Sequence, residues 1–178
     1  MIDALIDAVV QREGDYSDHP ADTGGETRFG ITAAVARANG YDGAMRELSL
    51  DTARAIYRSL YWTRPRIDAV ADRAPTVAAI LFDTAVNMGP PVAVGFLQRA
   101  LNVLNRGARD YADVAPDGVI GAGTLAALAG FLARRGRGGE AVLVKAVTAL
   151  RGERYIALAE RRPANEAFLY GWLANRIG

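Results

Sequence analysis

Cysteine is absent from the 178 residues. That excludes structural disulfides and thiolate-bound metals, and it leaves the chain able to fold in either redox compartment. Histidine is nearly absent. His19 stands alone, so a multi-histidine metal site cannot be built and a His-dependent triad would rest on this one residue. No metal and no cofactor is expected. A basic excess is missing too: 21 Lys and Arg face 20 Asp and Glu, a net charge of +1. A nucleic-acid binder draws most of its affinity from neutralising phosphates, so no nucleic-acid partner is expected. Arg134, Arg135 and Arg137 make a small local cluster, as a grip on an anionic wall or as a solvated break between helices.

No apolar run approaches the roughly 18 residues of a membrane span, and no membrane insertion is expected. The opening MIDALIDAVV holds Asp3 and Asp7 but no Lys or Arg. A secretory signal needs a basic start and an unbroken apolar stretch, so the expectation is synthesis in the cytoplasm without a signal peptide. A substrate outside the cell would then require export by another component. Internal repeats and low-complexity tracts are not found, and alternating strand patterns are nearly missing.

What is present is helical periodicity. Ile2, Leu5, Ile6, Val9 and Val10 share one face of a helix that stops at Glu13-Gly14. Residues 14–30 hold Gly14, Gly24, Gly25 and Gly30 among polar residues and Pro20, which predicts a structured loop or short β-hairpin. Thr32 can cap a helix through about Asn39, closed by Gly40, and Ser49 can cap another. In that second helix Ala53, Ile56, Tyr57, Leu60 and Tyr61 fall on one face. Pro75 suits the first position of a helix through Met88, closed by Gly89-Pro90-Pro91. A further helix carries Phe96, Leu97, Ala100, Leu101 and Leu104; residues 105–120 are a polar loop. Ala122 to about Arg135 and Glu140 to Arg162 read as helices, and a last short one holds Phe168, Leu169 and Trp172. The fold class is mainly α. The polar loop divides an N-terminal lobe, 1–104, from a C-terminal helical region, 105–178. Phe96 to Leu104 is apolar enough to pack against both, so one compact domain is also compatible.

Among the carboxylates, Glu13 occupies a position suited to acid catalysis. Breaking a glycosidic bond requires a carboxylic acid to protonate the leaving oxygen, held on a rigid element, and a second group to stabilise the cation or activate water. Glu13 ends an apolar helix directly before a glycine. Asp22 lies nine residues on, in the turn Ala21-Asp22-Thr23-Gly24-Gly25, with Glu26 and Thr27 following. Each residue also has a bland role. Glu13 could be a solvated helix end, and Asp22 could bond its own backbone. His19 fits a surface turn. Tyr16, Tyr61 and Trp62 fit sugar stacking or core packing. Asp83 and Asn87, one helical turn apart, could bond each other; the reading favours structure for Asp83 and a cleft position for Asn87.

The ordered series Glu13-Gly14-Asp15-Tyr16, Asp22-Thr23-Gly24-Gly25-Glu26-Thr27 and Phe29-Gly30-Ile31-Thr32 resembles the phage endolysin and secretion-activator family of N-acetylmuramidases, glycoside hydrolase family 108. Asp15 replaces the second glycine of that family's usual Glu-Gly-Gly-Tyr. The resemblance continues through Tyr61-Trp62, Phe82 to Pro90, Leu97 to Asn102, Asp117 to Gly121 with Thr124, and Gly171-Trp172. A looser similarity reaches phage lysozymes, whose pattern is Glu, eight residues, Asp, five residues, Thr. Glu13 and Asp22 match it, Thr27 falls one residue short, and Thr32 is the alternative.

The resemblance implies a lysozyme-like helical fold and hydrolysis of the β-1,4 bond between N-acetylmuramic acid and N-acetylglucosamine, with Glu13 as general acid. Asp22, and after it Thr27 or Thr32, would complete the catalytic set; Tyr16, Asn87, Tyr61 and Trp62 would bind substrate. The implied partner is bacterial peptidoglycan, reached in the periplasm with help from a holin or a secretion apparatus. Leu97 to Leu128 is similar to peptidoglycan-binding modules, against which stands a plain helix–loop–helix shaped by glycines. The alternative function is a non-catalytic wall-binding or secretion-assisting protein on the same fold.

Overall fold

The computed structural model describes residues 1–17 and 25–177, and of Glu13 and Arg137 the main chain only. The chain is mainly α-helical, as expected, and forms two compact units, Met1–Arg64 and Pro65–Gly178. No described helix is long and apolar enough to cross a membrane.

The first unit begins with α1, Ile2–Glu13, which buries Ile6, Val9 and Val10. A small antiparallel sheet follows: β1 Tyr16–Ser17, β2 Thr27–Arg28 and β3 Ile31–Thr32, in that spatial order. Tyr16 pairs with Arg28 and Thr27 with Thr32. Helix α2, Ala33–Ala38, starts on Thr32, whose side chain accepts the Val35 N–H at 3.3 Å. Helix α3, Leu50–Arg58, starts on Ser49, which accepts the Thr52 N–H at 3.1 Å. Both caps stand where the sequence places them.

Helix α3 turns Ala53, Ile56 and Tyr57 inward and packs against α1. Arg54 Nε meets Asp7 at 2.7 Å, and Arg58 pairs with Asp3. Such solvent-screened pairs contribute little, whereas each fully buried aliphatic side chain contributes about 1.5–3 kcal/mol. The apolar seam therefore decides the packing. After Arg58 the helix widens into a π-type turn, Ser59–Thr63, closed by Arg64 N–H to Ser59 C=O at 3.0 Å. A five-residue step rotates the inward face by one position. Leu60 and Tyr61, expected on the apolar stripe, are only half-buried, and Trp62 takes the interior place.

The second unit contains a helix that periodicity did not single out, α4, Ile67–Ala71, entered through Arg66 at φ 61°. Helix α5, Pro75–Met88, is the central element. It packs on α4, on α6 (Pro90–Val103) and on α8 (Gly139–Arg161), and it buries Val77, Ala78, Leu81, Phe82, Thr84 and Ala85. Thr84 is tolerated there because its hydroxyl donates to Ile80 C=O at 2.7 Å. The Gly89-Pro90-Pro91 segment ends α5, as expected, and also starts α6. Gly89 sits at φ 88°, and Pro90 takes the first helical position, where its missing N–H costs nothing. Helix α7, Ala122–Arg135, leads through a tight turn, Gly136–Gly138, into α8, and α9, Glu166–Arg176, folds back on α8.

Residues 105–120 are the expected loop, held by two buried amides. Asn105 donates to Tyr111 C=O at 2.6 Å and accepts the N–H groups of Asp110 and Tyr111. Gln98 is 1% exposed and donates to Asp117, Val119 C=O and Thr124 while accepting the Gly118 N–H. The series Asp117 to Gly121 with Thr124 is thus a clasp that shapes the loop around one glutamine. Arg134 and Arg135 turn toward Asp110, at 3.2 Å and 3.9 Å, and Arg106 completes the group at 2.5 Å. Asp110, only 5% exposed, occupies these arginines.

Candidate active site

Glu13 closes α1, and Gly14, at φ 81° and ψ −179°, turns the chain out of the helix and into β1. A side chain at Gly14 would be strained in that conformation, so the glycine fixes the residue before it at the junction of helix and sheet. Asp15 C=O accepts the Phe29 N–H at 2.8 Å, and the Asp15 carboxylate pairs with Arg28 Nε at 3.1 Å. The Asp15 side chain thereby ties β1 to β2.

Around this junction the hairpin is braced by side chains. Tyr16 donates its hydroxyl to Glu26 Oε1 at 2.7 Å, and the Arg46 guanidinium lies 4.2 Å from the centre of the Tyr16 ring. Tyr57 of α3 donates to Phe29 C=O at 3.0 Å. Phe29 adopts φ 53°, uncommon for a bulky residue, and the Tyr57 bond falls on the residue that bends there. Tyr57 and Tyr61 continue as a tilted ring pair 5.7 Å apart.

The expected site residues fall into three groups. Tyr16 and Thr27 lie on the hairpin beyond Glu13; Thr27 donates its hydroxyl to Gly25 C=O at 3.1 Å, and Thr32 caps α2. Tyr61 and Trp62 lie on the π-type turn, where Trp62 is 6% exposed. Asn87 belongs to the second unit. It does not bond the Asp83 side chain; it donates to Asp83 C=O at 2.6 Å and lines a cavity of about 200 Å³ with Tyr155 and Trp172. The Asp83 carboxylate is instead taken by Arg151 at 2.5 Å. Asp22 and His19 lie outside the described residues.

Sequence reasoning left three groups unassigned here. Arg46 and Tyr57 reach the hairpin from elements distant in the chain, so no local motif marks them. Glu26, which follows Asp22 in the glycine turn, is a hairpin carboxylate held in place by a phenol. Arg151, 1% exposed, has no sequence signal, because an arginine in a long amphipathic helix reads as solvated.

Comparison with known proteins gives two family matches and a structural likeness. Residues 6–89 match the family described as Glycosyl hydrolase 108, and residues 92–177 match the family described as Predicted Peptidoglycan domain. Among solved structures the chain is similar to SagA of Brucella abortus, with 27% identity and a TM-score of 0.58, over 94% of this chain and 95% of that one. No curated protein matches. The chain thus combines a segment similar to the glycosyl hydrolase 108 family with a following segment similar to the predicted peptidoglycan domain.

Proposed function

We propose that the protein is an N-acetylmuramidase that cuts the β-1,4 bond between N-acetylmuramic acid and N-acetylglucosamine in peptidoglycan, with Glu13 as general acid. The observation that carries this reading is positional: within the segment matching glycosyl hydrolase 108, Glu13 is the carboxylate at the rigid helix-to-hairpin junction. Protonation of the leaving oxygen needs a carboxyl group aimed by a fixed backbone. The second group is Asp22, which positions water instead of forming a covalent sugar adduct, so the reaction inverts. Thr27 or Thr32 completes the catalytic set, Tyr16, Tyr61 and Trp62 bind substrate, and the enzyme reaches the wall after export by a holin or a secretion apparatus.

Zymography of wild type and Glu13→Gln on purified peptidoglycan tests the assignment. Clearing by wild type alone is expected; equal clearing by both, or by neither, sinks it. Mass spectrometry identifies the bond through reducing-end muramic acid, and NMR of the first anomer released tests inversion. The alternative, a wall-binding protein without catalysis, draws on the peptidoglycan match of residues 92–177 and predicts binding with no clearing at all.

A further inference from the structure

Two adjoining cavities in the second unit share Val92 and Arg154 as walls. The larger, about 410 Å³, is lined by Arg99, Arg154 and Arg161 with Glu153 as its one carboxylate. The smaller, about 200 Å³, adds Asn87, Tyr155, Trp172 and Arg176. Arg176 lies 4.0 Å from the Asp83 carboxylate, but Arg99, Arg154 and Arg161 against one glutamate are a local excess in a chain whose net charge is +1. Arg99, Arg154 and Arg161 have no hydrogen-bond or ion-pair partner among the described residues. This sets them apart from Arg134 and Arg135, which Asp110 occupies.

The aromatic side of the groove is also prepared. Trp172 packs on Tyr155 with ring centres 5.2 Å apart, and Phe168 stacks on Trp172 at 6.2 Å while remaining 59% exposed. The Tyr155 ring is 4% exposed, yet its hydroxyl has no partner among the described residues. A buried hydroxyl without a partner is costly, so this wall of the smaller cavity holds an unused polar group beside two flat apolar faces. Flat apolar rings suit the faces of sugars, and guanidinium forks suit carboxylates.

We propose that this groove along α6, α8 and α9 binds a carboxylate-bearing glycopeptide: the sugar lies on the Phe168–Trp172 face and the free carboxylates of its peptide side chains meet Arg154, Arg161 and Arg99. The inference rests on the wall-directed reading above but is independent of where, or whether, the chain cuts. It gives the second unit a ligand, whose sugar the aromatic platform takes and whose carboxylates the arginines take.

The test is co-sedimentation of the full chain carrying Glu13→Gln with insoluble peptidoglycan. Adding Arg154→Glu is expected to weaken binding roughly tenfold or more, the scale of a lost charge-assisted hydrogen bond. Arg109→Glu, an exposed charge reversal away from the groove, is expected to leave binding unchanged. Amidating the carboxylates of the wall should weaken binding to a similar extent, with no further loss from Arg154→Glu. Phe168→Ala should also weaken it, and this exposed truncation keeps the test decisive if Arg154→Glu lowers the helical circular dichroism. Equal losses from Arg154→Glu and Arg109→Glu, indifference to amidation, or equal retention on duplex DNA would each overturn the proposal. Failure of the zymogram with these binding results intact would remove the hydrolase reading alone.

Discussion

Gln98 Nε2 donates to Asp117 Oδ1 at 2.8 Å while Gln98 Oε1 accepts the Gly118 N–H at 2.9 Å. Both ends of one buried amide therefore hold two successive residues of the same loop. Replacing it by leucine keeps the volume but strands the Gly118 N–H and the groups that received Nε2. Each stranded group costs about 1–3 kcal/mol, so Gln98→Leu should destabilise by about 2–4 kcal/mol in urea unfolding.

The same clasp has an acid signature. The Asp117 carboxyl is held below its ordinary range, first by the Gln98 hydrogen bond and then by the Val119 N–H. Asp110 is also lowered, first by its hydrogen bond to Arg106, against an opposing effect of burial and with further help from Arg134 and Arg135. A carboxyl with a depressed folded pKa stabilises the fold fully above its unfolded value, and the contribution disappears as pH falls through the folded value. Denaturant midpoints should therefore hold level above the ordinary carboxylate range and decline below it. Asp117→Asn should flatten that decline; an unchanged slope would count against the clasp.

Gly118 and Gly107 form a matched pair. Both have positive φ, 76° and 71°, but a Cβ at Gly118 would lie 2.8 Å from Pro91 O and 3.0 Å from Pro91 Cα, whereas at Gly107 it meets nothing within 4 Å. Gly107→Ala should cost only the left-handed strain, about 1–2 kcal/mol. Gly118→Ala adds a backbone collision worth about 1–3 kcal/mol more. Thermal melts of the two variants would measure the difference.

Arg151 is 1% exposed and its NH2 group meets Asp83 at 2.5 Å, with Arg176 4.0 Å from the same carboxylate. Truncating one partner of a buried pair leaves the other charge poorly compensated, at about 3–5 kcal/mol. Arg151→Ala should approach that cost in equilibrium unfolding. Arg151→Met with Asp83→Asn should recover most of it, since neither charge then remains.

Glu13→Gln should lower the rate of wall digestion by about 10²–10⁴-fold, the usual contribution of a general acid, with stability within about 0.5 kcal/mol of wild type. Tyr16→Phe removes the hydrogen bond to Glu26 and should cost about 0.5–1.5 kcal/mol of stability. A comparable loss of clearing in Glu26→Gln and Glu13→Gln would move the second catalytic role from Asp22 to Glu26.

Local chemistry made much of this fold readable. Thr32 and Ser49 announce helices because a hydroxyl before an apolar repeat can accept an orphan N–H, and α1 and α5 begin and end where Gly14, Pro75 and Gly89 require. Tertiary events left no such mark. The π-type turn that swaps Tyr61 for Trp62 depends on how α3 meets the rest of its unit, and the Arg151–Asp83 pair joins residues 68 apart. In the candidate site the end of α1 at Glu13-Gly14 was legible because a helical repeat stops at a glycine there. Arg46 and Tyr57 were not, because they reach the hairpin through space.

The corner at Gly89 separates the two family matches in sequence, since one ends at residue 89 and the other starts at 92. Physically it joins them. Helix α5 belongs to the hydrolase match and buries Leu81, Phe82 and Ala85, yet the helices it packs on include α6 and α8 of the peptidoglycan match. The family boundary thus runs through a hydrophobic core, and the two halves are not interchangeable cassettes. A hydrolase segment of this type can accept a new wall-binding tail only if that tail brings a complementary surface for α5, which ties the inheritance of the two halves together.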